Sequence, residues 1–190
     1  MKAAAIKKVI MDRKYAMIWV DQDGNQWVGD GRYFYVADDC VQLNERNLLT
    51  VLDVDKDKRD SIVCKMGPCY DERLSILPNE EQDVQLIPHI SVSYGGELIT
   101  LMVSTDGELV GIRQSAIKPA DSKMGLAFFL RRREGMHPWI MCFEGMMATA
   151  ALMIEPAEVI QSIMDSARTM QQAKVVDYMG LAKEAEEDEE

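Results

Sequence analysis

The feature that most constrains this chain is its punctuation. Short runs of β-branched and aromatic residues are separated by turns too tight to carry a crossover. The run at residues 17–20 meets Asp21, Asp23, Gly24 and Asn25, and residues 26–28 return. Gly29 and Gly31 then precede a third run at 32–36. Later, Gly95 and Gly96 lie between runs at 84–92 and 97–103. Thr105, Asp106 and Gly107 lead into 108–113, and Glu134 and Gly135 separate 126–132 from 139–143, with 146–154 following. Two parallel strands need a connection of about a dozen residues or more, so turns of this length join antiparallel neighbours. A meander of this kind needs a covering helix or a second sheet.

Helices are expected at both ends. Ala3, Ala4 and Ala5 favour helix, and Ile6, Val9 and Ile10 make an apolar stripe within residues 2–14. The strand-like run 15–20 follows directly, and a strand is the competing reading for this segment. Asn44, with Asn47 three residues on, reads as the cap of a short helix carrying Leu48, Leu49, Val51 and Leu52. Residues 62–64 form another strand candidate, and Pro119 marks a short helix or turn within 115–123. Pro156 opens a long helix whose stripe is Val159, Ile160, Ile163, Met164, Ala167 and Met170, with Gly180 as its stop. Residues 67–83 hold Pro68, Pro78 and an acidic run, and read as a long loop or a linker. The expected architecture is α+β, mostly antiparallel sheet, with an N-terminal helix and a long C-terminal helix. It is a single domain over 1–182, with two lobes, 1–66 and 84–182, as its alternative subdivision.

Charge bounds the partners. The net charge is −11, and residues 183–190 hold six acids and one lysine. Like charges in a run repel, so this stretch reads as a solvated acidic tail. Nearly half the acidic excess therefore lies in the tail, and a globally DNA-coating surface is excluded. Lys7 and Lys8 interrupt any apolar leader. The longest uncharged apolar stretch, 145–154, is ten residues, about half of what a membrane span needs. A soluble, cytoplasmic protein with no membrane partner is expected.

Sites for chemistry are weighed against plainer readings. Asp53, Asp55 and Asp57 have the spacing that opens a calcium loop, but Lys58 stands where the loop needs glycine and Cys64 where it needs glutamate. A solvated loop is the better reading. Cys40, Cys64, Cys69 and Cys142, with His89 and His137, do not form the paired spacing of a zinc site, and buried thiols are expected. A Cys142–His137 nucleophile has no accompanying oxyanion motif, and no phosphate-cradling glycine loop occurs. No catalytic residue, metal, cofactor or small-molecule ligand is therefore assigned, and the expectation is a protein that is not an enzyme.

Basic clusters remain. Lys7, Lys8, Arg13 and Lys14 decorate the first helix, Lys56, Lys58 and Arg59 a loop, and Arg131, Arg132 and Arg133 the end of a strand. On an acidic protein, a local basic face can hold phosphates without reading sequence. Scattered solubilising charge is the plainer and better reading of the clusters taken by themselves.

A resemblance then enters. Met1 to Ile6, the run from Gln26 to Gly31 with Tyr35, and the run from Asn47 to Val54 resemble proteins encoded in prophages of gut Firmicutes. Residues 126–130, 139–143 and 146–156, the last reading Met153-Ile-Glu-Pro156, are similar to the closing strands of a DNA sliding-clamp domain. The resemblance implies a ring-forming, β-rich, clamp-like fold whose inner helices face DNA, with Lys7 and Lys8 on the matching first helix. The chain is short for a clamp subunit, and the loop 67–83 and C-terminal helix are additions. The implied function is a phage-type accessory protein of DNA metabolism, acting by binding DNA or a replication protein, with a homo-oligomer as the assembly. The residues expected to face DNA are Lys7 and Lys8 and, from the basic clusters alone, Arg13, Lys14, Arg131, Arg132 and Arg133. The alternative is an acidic inhibitor that occupies the nucleic-acid site of a host protein, motivated by the charge and the tail.

Overall fold

The structure is a computed structural model and describes residues 3–37, 42–67, 74–79, 81–120, 125–132 and 134–172. Two compact units are present, Met1–Glu155 and Pro156–Glu190.

The first unit opens with α1 (Ala3–Arg13) and a meander of β1 (Tyr15–Val20), β2 (Gln26–Gly29) and β3 (Tyr33–Val36). Two single-turn helices, α2 (Leu48–Val51) and α3 (Lys56–Arg59), lead to β4 (Val63–Met66). A hairpin of β5 (Asp83–Tyr94) and β6 (Glu97–Ser104) continues into β7 (Leu109–Arg113) and the short helix α4 (Gln114–Ile117). A second meander, β8 (Ala127–Arg131), β9 (Trp139–Glu144) and β10 (Met147–Met153), completes it.

All ten strands share one sheet, in the order β4-β1-β2-β3-β10-β9-β8-β5-β6-β7. Every neighbouring pair is antiparallel except β4 on β1. The α+β, mostly antiparallel class is thus present. The sheet crosses from the first meander to the second at β3–β10, where Tyr35, Phe34 and Tyr33 oppose Ala150, Ala151 and Leu152. Two of these rings, Phe34 and Tyr35, meet alanines, which lets the two meanders close side by side. The strands before residue 67 and from Asp83 onward therefore belong to one sheet. A helix followed by three consecutive strands occurs twice, as α1-β1-β2-β3 and α4-β8-β9-β10, and the two meanders meet edge to edge.

Strand alternation divides the side chains between two faces. On one face Ala16, Ile18, Val28, Tyr35, Ile140, Cys142, Ala150 and Leu152 share a core with Ile6 and Ile10 of α1, Leu48 of α2 and Ala116 of α4. The Tyr35 hydroxyl donates to the Ala116 carbonyl at 2.9 Å, tying α4 to β3. Leu86, Met102, Val110 and Ile112 of β5, β6 and β7 belong to the same core, so the sheet curls around it. Glu155, just past β10, donates its N–H to the Gly111 carbonyl of β7 at 2.8 Å and fixes that curl. The other face is aromatic: Trp27, Phe34, Trp139, Met141 and Phe143 are buried there. Trp19 stacks on Phe34 at 4.4 Å, and Trp139 meets Phe34 edge-on at 5.7 Å. Leu74 and Ile76 of segment 74–79 cover part of this face, with the Ala148 N–H donating to the Ile76 carbonyl at 2.8 Å.

Local signals explain the ends of elements. The Asn44 side chain accepts the Asn47 N–H at 3.1 Å, and Asn47 accepts the Asn44 N–H at 2.7 Å, a reciprocal cap before α2. The β1–β2 and β6–β7 turns follow one plan. Asp21 Oδ1 accepts the Asn25 N–H at 2.9 Å, and Ser104 Oγ accepts the Glu108 N–H at 2.8 Å. Gly24 (φ 87°) and Gly107 (φ 93°) hold the matching left-handed position. The buried Asp21 also accepts the Trp27 indole N–H at 3.0 Å, and the Asn25 side-chain amide donates to its two oxygens at 3.1 and 3.0 Å, so its acceptors are spent inside the turn.

The second unit holds α5 (Ala157–Gln172). The Pro156 carbonyl accepts the Val159 N–H at 3.0 Å, which places the proline at the entry to the helix. The expected continuation to Met179, the stop at Gly180 and the acidic tail 183–190 lie outside the described residues. No helix among the described residues is long and apolar enough to cross a membrane.

Candidate functional site

The six described cations of the seven expected to face DNA do not form one surface. Arg131 is 1% exposed. Its Nε and Nη2 donate to the two Asp83 carboxylate oxygens, both at 2.6 Å. Its Nη1 and Nη2 also donate to the Ser75 and Leu77 carbonyls at 3.2 and 2.9 Å, and its guanidinium lies 5.9 Å from the Phe143 ring. The expectation that Arg131 faces DNA is corrected: it is a pin between β8, β5 and segment 74–79. Arg132, one residue on, points to the opposite face. It pairs with Asp106 at 2.7 Å and with Glu108, so two carboxylates already neutralise it. Those contacts, Arg132 first and the Ser104 hydroxyl second, hold the Asp106 carboxyl near 2. Arg133 lies outside the described residues.

The α1 cations fare differently. Lys7 donates to the Asp53 carbonyl. Lys14 ends α1 in a left-handed conformation (φ 55°) and is exposed. Lys8 and Arg13 line a cavity of about 210 Å³ between α1 and α4, together with Arg32, Arg113 and Lys118. Five basic side chains thus converge with three acids, Asp12, Asp30 and Glu97.

The fold places each of the three cations the sequence did not single out. Asp30 Oδ1 accepts the Arg32 and Tyr33 N–H groups, each at 2.9 Å, and this turn sets Arg32 at the start of β3. Asp30 Oδ2 faces Arg13 Nε at 3.6 Å. Arg113 ends β7 and donates to the buried Glu155 at 2.9 Å and to Glu97. Lys118 follows the single turn of α4. Lys8, Arg32 and Lys118 make no ion pair with any described residue, and two of them, Lys8 and Lys118, are exposed. The Tyr33 hydroxyl at the base of the groove is pushed up to about 12, by burial first and by the Glu155 carboxylate second, so it stays a neutral donor. No spacing rule links residues 8, 32, 113 and 118, because only the β2–β3 turn and the β7–α4 junction bring them together.

The remaining candidates are dispersed. The Cys142 thiol is buried in β9, and burial pushes its pKa up, so it remains a thiol. His137 lies before β9 on the surface, and His89 lies on the exposed part of β5. Lys58 pairs with Asp55 at 2.7 Å, and Arg59 donates to the Val54 carbonyl and the Thr50 hydroxyl, each at 2.8 Å. Among the described residues no three His, Cys, Asp or Glu side chains gather as metal ligands. A second cavity, about 340 Å³, is lined by Phe129, Phe143, Met146 and Pro78 on the aromatic face, and its one carboxylate, Asp83, is bound by Arg131.

No protein-family model matches the chain, and neither a curated protein nor a solved structure matches it.

Proposed function

We propose that this is a non-enzymatic, cytoplasmic accessory protein of DNA metabolism, of the phage type, that holds the nucleic-acid backbone in the groove between α1 and α4. The observation that carries the reading is the convergence there of Lys8, Arg32 and Lys118, cations without an ion-pair partner among the described residues. Phosphate oxygens satisfy such donors and release counterions, which drives binding without base reading. Two further features support it. The groove is bounded by helices on one face of a sheet, and the helix-plus-meander unit occurs twice, an arrangement in keeping with a clamp-like use of the fold. The acidic excess elsewhere keeps the duplex on this one face.

Fluorescence anisotropy with a labelled duplex tests the reading. Lys8→Ala and Lys118→Ala each weaken binding equally on unrelated sequences, and each flattens the slope of log K against log salt by about 0.9. Arg132→Ala, whose guanidinium is already neutralised by Asp106 and Glu108, leaves both quantities unchanged. Wild-type affinity in the two lysine variants would remove the groove from the account.

A further inference from the structure

The β5–β6 hairpin reaches well beyond the rest of the sheet. β5 pairs with β8 only over Asp83 to Leu86, while its pairing with β6 runs on to Tyr94. The β8 ladder stops two residues before Pro88, which has no N–H to give. Beyond it, no strand among the described residues pairs with the outer edge of Ile90 to Ser93.

Beyond Pro88 and the register shift between Pro88 and Ile90, this edge has no charged side chain to guard it. Natural edge strands are guarded by charged side chains, above all lysine. Residues 84–96 contain no Lys, Arg, Asp or Glu, in a chain where 28% of residues are charged. Ile87 and Ile90 are 54% and 53% exposed. On β4, the strand at one end of the sheet, the Met66 N–H is taken by the Glu45 carboxylate at 2.8 Å.

The register fixes which groups the edge offers. Tyr94 faces Glu97 across the two-residue turn Gly95-Gly96, both glycines having positive φ. Residues flanking such a turn bond to each other, so alternate residues back along β5, Val92 and Ile90, also turn their N–H and C=O towards β6. Ser91 and Ser93 turn theirs outward. Side chains alternate as well: Ile90, Val92 and Tyr94 share one face, and Ser91 and Ser93 the other.

We infer that this edge pairs with the same edge of a second copy, antiparallel, about a two-fold axis through Val92. Ser91 then exchanges N–H···O=C bonds with Ser93 of the second copy, and the reverse. Val92 meets Val92 across the axis, and Ile90 lies beside Tyr94, giving a continuous apolar strip on one face. The occupant is a second copy because this pattern is self-complementary under a two-fold rotation. Two chains of net charge −11 repel overall, and this hairpin edge, with no charged residue from 84 to 96, adds no local like-charge contact to that repulsion. The inference does not depend on nucleic-acid binding.

Sedimentation equilibrium on the full chain reads the mass, and a dimer gives twice 21.5 kDa. Ser93→Pro removes an outward N–H while leaving the β6 ladder intact, and Ile90→Lys puts charge on the strip. Both are expected to return the mass to 21.5 kDa, with circular dichroism confirming the fold. Val63→Lys on the β4 edge leaves the dimer in place. Hydrogen exchange on the unmutated chain serves where a variant fails to fold: the Ser91 and Ser93 amides are protected when concentrated and lose protection on dilution. A monomer at all concentrations overturns the inference. So does a dimer that survives both folded variants, or exchange at these amides that ignores concentration.

Discussion

Replacing Arg131 with methionine is expected to destabilise the first unit by about 3–5 kcal/mol, the usual cost of removing one partner of a buried ion pair. The side chains of Arg131 and Asp83 are 1% and 5% exposed, and both guanidinium–carboxylate bonds are 2.6 Å long. Methionine leaves the Asp83 carboxylate in an apolar site without its cation. It also strips the Ser75 and Leu77 carbonyls of their donor, so segment 74–79 loses its anchor on the aromatic face. Urea unfolding checks the prediction, and the melting temperature should fall by roughly ten degrees for a chain of this size. Adding Asp83→Leu to the same chain should recover much of the loss, because two apolar residues do not carry the desolvation of an orphaned charge. A single-variant loss below about 1 kcal/mol would mean that the pair behaves as a surface salt bridge.

Gly29→Ala is the second large effect. A Cβ at this position would lie 1.6 Å from the Tyr33 carbonyl oxygen, and 2.7 Å from its carbon. These are backbone atoms in the β2–β3 turn, and the same oxygen accepts the Asp30 N–H at 3.2 Å. No rotamer change relieves the clash, so the turn must open. That displaces Asp30, whose carboxylate orders Arg32 and Tyr33 and faces Arg13. A loss of about 3 kcal/mol or more is expected, at or beyond the upper range for overpacking. Gly24→Ala makes the contrast. Space around that position is open, and only its φ of 87° opposes a side chain, so about 1–2 kcal/mol is expected. Equal losses in the two variants would contradict the steric account. Because Asp30 positions Arg32, Gly29→Ala should also weaken duplex binding in whatever fraction remains folded.

The strands and turns were legible because their causes are local. Asp21, Gly24 and Asn25 dictate a hairpin through bonds within five residues, and Asn44 with Asn47 caps α2 in the same local way. Continuity of the sheet was not legible, since it depends on Tyr33, Phe34 and Tyr35 meeting Leu152, Ala151 and Ala150 more than a hundred residues away. Lys8 and Arg13 were visible as a basic helix face. Arg32, Arg113 and Lys118 were not, being single cations brought to α1 by a turn and a strand end. Arg131 misled through composition: read as part of a basic triplet, it is the buried last residue of β8, while Arg132 just beyond it pairs with Asp106 and Glu108. Asp83, the partner that claims Arg131, lies 48 positions away at the start of β5.

The measurement that bears most directly on the central claim is the salt dependence of duplex binding by the unmutated protein. Three cations in the α1–α4 groove without an ion-pair partner among the described residues predict that log K falls against log salt with a slope of about −3. The double variant Lys8→Ala/Lys118→Ala should flatten it to about −1. No binding at low salt, or a slope that the two lysines do not change, would contradict the account.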